Sequence, residues 1–172
     1  RPRDWSSDVC SSDLALWLLW LVGRLAMATS GLIGREVAAF LDVLFLLGVA
    51  LIAGREIVTA GNSRNFKLLG VLAVLVAGNL VFHFETLVSG SADYGRRIGM
   101  ATVVALILVI GGRIVPGFTR NALRREAPGR LPADFGRVDV SSTFAALAAL
   151  IAWVIAPWDE ATALLAALAA IW

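Results

Sequence analysis

Residues 98–115 run for eighteen positions with a single charged side chain, Arg113, and no other stretch constrains the chain as strongly. An apolar segment of this length is a candidate membrane span, because about 20 residues of helix cross a hydrocarbon layer roughly 30 Å thick. Its exit is dense in signals. Gly111 and Gly112 precede Arg113, Pro116-Gly117 follows, and Arg120, Arg124 and Arg125 come directly after. The Pro-Gly pair predicts a break in the helix, since proline lacks the N–H that the helical ladder needs. Arginines crowded behind a span predict that this end faces the cytoplasm.

The remainder of the chain repeats the pattern. Of 172 residues, 59% are hydrophobic and 16% charged, and the mean hydropathy is +0.81. Soluble domains carry about 45–50% apolar and about 25% charged residues. The fold class expected is therefore all-α, a polytopic transmembrane helix bundle. Five complete spans are predicted at about 15–33, 37–53, 68–84, 98–115 and 140–156, with the start of a sixth at 161–172. The net charge of +2 is small and the arginines gather at span ends. That placement fits orientation in a bilayer and gives no reason to expect a nucleic-acid partner.

Residues 4–14, DWSSDVCSSDL, repeat Ser-Ser-Asp and contain no apolar core of the kind a signal peptide needs. They read as the frame translation of a sequencing-library adapter. Residues 1–14 are accordingly expected to be non-native, and residues 15–172 to form the transmembrane domain. Because the sequence stops within an apolar run, it is read as an interior fragment of a longer membrane protein, with the missing helices of that protein as its partners beside the lipid bilayer.

Loop charge predicts orientation. The second and fourth connections, 54–67 and 117–139, hold eight basic residues: Arg55, Arg64, Lys67, Arg120, Arg124, Arg125, Arg130 and Arg137. The first and third hold three, Arg35, Arg96 and Arg97. Loops 54–67 and 117–139 are thus expected on the cytoplasmic side, with Trp17, Trp20, Trp153 and Trp158 as candidate interfacial anchors.

Polar groups inside spans are costly and mark candidate sites. Five qualify: Arg24, Asp42, Asn79, His83 and Arg113. Arg24 and Asp42 sit in neighbouring antiparallel spans joined by the short turn 34–36, so the two can pair. That pair is either functional or simply a mutual neutralisation of two buried charges. His83, the only histidine, is a candidate metal or haem ligand. Asn79, four residues earlier, shares its helix face. The plainer alternative makes His83 an interfacial residue bonded to water or Glu85. Arg113 either snorkels to the interface or contacts an anion such as a haem propionate, with Arg120 and Asn121 beside it. No nucleophile–base arrangement, phosphate loop or carboxylate dyad is present, so no catalytic residue is assigned and enzymatic activity is left open.

Four segments, LVGRLAM (21–27), RNFKLLG (64–70), NLVFHFE (79–85) and GGRIVPGFTRNAL (111–123), in this order and spacing, resemble the NnrS family of bacterial inner-membrane proteins. The resemblance spans residues 15–172. It implies a bundle of about a dozen helices, bound haem and copper, and a role in nitric oxide metabolism or the response to nitrosative stress, with nitric oxide itself a partner. Carried over residue by residue, it marks Asn79, His83, Arg113, Arg120 and Asn121 as cofactor-binding and His83 as the metal-related position. The family's upstream histidine-rich motif, of the kind HAHEM, has no counterpart before residue 15. Two rival readings from other classes stay open, a small-solute transporter or permease with Arg24, Asp42 and Asn79 along its path, and a structural membrane subunit.

Overall fold

The computed structural model describes residues 5–61, 66–126 and 136–171; the side chains of residues 5–11, 67, 113, 125, 126 and 171 are outside that description. Helices α1 (Trp5–Ala28), α2 (Ser30–Ile33), α3 (Arg35–Thr59), α4 (Phe66–Ser89), α5 (Tyr94–Glu126), α6 (Arg137–Ile155) and α7 (Glu160–Ile171) account for nearly all of it, with no strand among the described residues. The all-α bundle expected from the apolar runs is what the chain forms. Four helices are long and apolar enough to cross a membrane: α3, α4 over Leu68–Ser89, α5 over Tyr94–Arg124, and α6.

The first expected span, 15–33, is not among those four. Its helix stops at Ala28, and α2 follows as a separate four-residue turn after Thr29. The Thr29 hydroxyl donates to the carbonyl of Leu25 at 2.8 Å, a side-chain bond that competes with continuation of the helix. Gly34 then turns the chain with φ +93°, a conformation that glycine alone adopts freely, and α3 starts at the next residue. The expected turn 34–36 therefore shrinks to one residue.

The ends of the next three helices move outward instead. α3 continues through residues 54–59, and α4 reaches Ser89, so parts of two expected loops are helical. The largest difference lies at Pro116. The expected break does not occur, and α5 passes through the proline for ten more residues. Proline's fixed φ suits a helix and costs one backbone bond, to the carbonyl of Gly112. Just beyond, the Thr119 hydroxyl donates to the Val115 carbonyl at 2.9 Å. Helices in membranes tolerate proline where such neighbours support the backbone. Residues 117–126 are consequently helix rather than loop. The centres of both expected cytoplasmic connections, residues 62–65 and 127–135, lie outside the described residues, as do Trp172 and residues 1–4.

The chain divides into two compact units, Arg1–Arg96 and Arg97–Trp172. In the first, α3 is central, packing on α1 along one side and on α4 along the other. Small residues make these approaches close, as is usual between membrane helices. Ala26 of α1 and Ala38 and Ala39 of α3 are buried, and the Gly23 position faces the backbone of Leu41 and Asp42. In the second unit α6 packs on α7 across a corner fixed by Asp159, whose carboxylate accepts from the N–H of Ala161 at 3.2 Å. Large apolar side chains such as Phe40, Leu51, Phe84, Ile107 and Phe144 point outward from both units. Water would disfavour such surfaces, whereas lipid does not.

Candidate functional site: one carboxylate shared by three helices

Asp42 lies seven residues into α3, about 10 Å from its start at 1.5 Å per residue. His83 lies six residues before the end of α4, so antiparallel helices bring the two to one level. Asp42 and His83 are 6% and 7% exposed, and they are the two buried ionisable side chains among the described residues. The His83 Nε2 is 3.0 Å from Asp42 Oδ2, and the Asn79 amide donates to the same oxygen at 2.9 Å. Arg24, reaching from α1, pairs with Asp42 Oδ1. One buried carboxylate therefore holds a cation and two hydrogen-bond donors drawn from two neighbouring helices.

Local sequence explains each position. Gly23 lets α1 come close to α3 at Leu41 and Asp42, which delivers Arg24 to the carboxylate. The four-residue spacing of Asn79 and His83 sets both on the α4 face that meets α3. The Phe82 ring stands edge-on to the imidazole, with centroids 5.3 Å apart. One turn beyond, Glu85 accepts from the backbone N–H of Tyr94 at 3.1 Å and of Gly95 at 2.8 Å. Its carboxylate thus caps the start of α5, where the helix dipole favours negative charge. The alternative in which Glu85 bonds His83 is overturned, because Glu85 is committed to that cap and the histidine to Asp42.

A carboxylate opposite a guanidinium accepts hydrogen bonds and donates none, so the His83 nitrogen facing it, Nε2, carries the hydrogen. In the neutral ring this leaves the lone pair on Nδ1. Histidines that serve as metal ligands are oriented in just this way, by a carboxylate on the second nitrogen. The Asn79 Oδ1 is buried without a hydrogen-bond partner, an acceptor available to a donor brought by a bound group. The residues present would supply one histidine nitrogen and one amide oxygen to a bound group. They do not complete a copper site, since no three of His, Cys, Asp and Glu gather to hold a metal among the described residues.

Of the residues singled out in the sequence, the structure brings Arg24, Asp42, Asn79 and His83 together. It places Arg120 and Asn121 in the second unit, on the last turns of α5, and the Arg113 side chain is outside the described residues. The link missed in the sequence is Asp42 to His83. Its signal was present in part, as a lone carboxylate inside an apolar run, but its sequence separation from His83 hides the contact.

These features define a polytopic helical membrane protein with a buried polar centre between its helices. The family model described as NnrS protein matches residues 9–172, and the chain belongs to the NnrS family. No curated protein and no solved structure matches the chain.

Proposed function

We propose that this chain is part of a haem- and copper-binding protein of the bacterial inner membrane that acts in nitric oxide metabolism or in relief of nitrosative stress. Membership of the NnrS family supports the reading. The observation that carries it is the lone histidine set within a membrane-crossing helix with Asp42 on its Nε2. His83 would hold a haem through Nδ1, and Asp42 would fix its ring and tautomer. Arg24 would balance the carboxylate, and Asn79 would offer an amide oxygen to the bound group. Haem iron supplies a coordination site for nitric oxide, tuned by axial ligand and pocket polarity. A copper site would need ligands beyond those gathered around His83 among the described residues. Loops 54–67 and 117–139 would face the cytoplasm, which their excess of basic residues supports.

A transporter reading draws on the same polar cluster. It is the weaker one, because α3 and α4 run unbroken past Asp42 and His83, whereas transporter sites are usually built on interrupted helices. The two part in one experiment. The absorption spectrum and metal content of the full-length protein purified from membranes should show haem in the wild type. The His83→Ala variant should lose or shift the haem bands at unchanged protein yield. Identical spectra and metal content in the two proteins would remove His83 from any haem site.

A further inference from the structure

The bond from His83 Nε2 to Asp42 Oδ2, at 3.0 Å, orients one corner of the imidazole. It leaves the ring plane undetermined, because the ring can still turn about the line from Cβ to Nε2. A second contact has to fix that turn, and with it the direction of Nδ1. The Phe82 ring supplies it, standing at 86° to the imidazole with centroids 5.3 Å apart. Rings set edge to face at this separation attract one another, and the attraction fades as either one turns.

Phe82 is held in its turn by the start of α5. A side chain built at Gly95 would meet the backbone nitrogen, Cα and Cβ of Phe82, so the two backbones approach there with no side chain between them. The Thr86 hydroxyl donates to the Phe82 carbonyl at 2.7 Å and fastens the same turn of α4. Glu85 keeps Gly95 in place. Its two carboxylate oxygens accept from the N–H groups of Tyr94 at 3.1 Å and of Gly95 at 2.8 Å. Both bonds end on a charged acceptor, the stronger kind. Glu85, Gly95, Phe82 and His83 thus form one continuous path within the first unit.

We propose that Glu85 is a positioning residue. By clamping the start of α5 against Phe82, it fixes the plane of the His83 ring and the direction in which Nδ1 points. This role rests on the reading of His83 as the residue that meets a bound group.

The test is a double-mutant cycle on Asp42 and His83 in the full-length protein, measured by unfolding in detergent with and without Glu85→Ala. A cap that only stabilises α5 would lower all four members of the cycle equally and leave their coupling unchanged. A residue that positions the His83 ring should remove most of that coupling, so that the two sites approach simple additivity. Glu85→Gln keeps one acceptor oxygen and should retain part of the coupling, which also serves if Glu85→Ala does not fold. Asp159→Ala removes a cap of the same kind, the bond from the Ala161 N–H near the start of α7. It should leave the coupling at the wild-type value. In the haem-loaded protein, Glu85→Ala should shift the haem bands and weaken haem retention by about tenfold, the lower end of the loss when a group that orients a ligating histidine is removed. Haem missing from the wild type would defeat the haem reading alone, because the cycle needs no haem to decide on Glu85. Wild-type coupling in both Glu85 variants, no coupling in the wild type, or an equal loss in Asp159→Ala would each overturn the proposal.

Discussion

Replacing Asp42 with alanine is expected to destabilise the chain in detergent by about 3–5 kcal/mol, the range for removing one partner of a buried charge pair. Arg24 is half exposed and can turn its guanidinium toward the interface, so it supplies the smaller share. Most of the loss falls on His83 Nε2 and the Asn79 amide, which share one oxygen of Asp42. Each would be left without its acceptor inside the bundle, at about 1–3 kcal/mol apiece. Asp42→Asn should cost less, because the amide oxygen still accepts from His83 while the charge opposite Arg24 is lost. Thermal unfolding followed by circular dichroism in one detergent checks both variants, with the order wild type, Asp42→Asn, Asp42→Ala in falling stability. An Asp42→Ala protein as stable as the wild type would mean that the carboxylate does not join the helices.

The parts of this site that were legible in the sequence were those governed by short range. Arg24 and Asp42 occupy neighbouring antiparallel helices, so their pairing follows from depth alone. Asn79 and His83 follow from helical spacing. The meeting of Asp42 with His83 depends on how α3 and α4 cross after a connection whose centre carries no apolar pattern. The far ends of α3, α4 and α5 were misjudged for one physical reason. Hydropathy reports where lipid ends, whereas a helix ends where its backbone bonding does. α3, α4 and α5 all outrun their apolar runs, and α5 does so through Pro116. The arginines beyond that proline therefore stand on helix rather than in a loop.

Gly95→Ala is the second large effect expected. A Cβ at Gly95 would fall on the backbone nitrogen and Cα of Phe82, atoms that cannot move aside as a flexible side chain can. The start of α5 would have to shift away from α4. That movement strains the bonds from Tyr94 and Gly95 to Glu85 and displaces Phe82, whose ring borders His83. Overpacking typically costs about 1–3 kcal/mol, and backbone on both sides of the contact puts this substitution at the upper end. Gly99, one turn further on, has open space around it, so Gly99→Ala serves as the control and should change stability little. Equal melting temperatures for Gly95→Ala and Gly99→Ala would show that the two helices do not approach this closely.

That one carboxylate draws α1 and α4 onto α3 to form a single intramembrane centre is tested most directly by a double-mutant cycle on Asp42 and His83, both truncated to alanine and measured by reversible unfolding. Residues in direct contact share a coupling energy of about 0.5–3 kcal/mol, and this buried bond to a charged acceptor predicts a value in the upper half of that range. Destabilisations that add to within about 0.5 kcal/mol would mean that Asp42 and His83 do not touch, and the site described here would not exist.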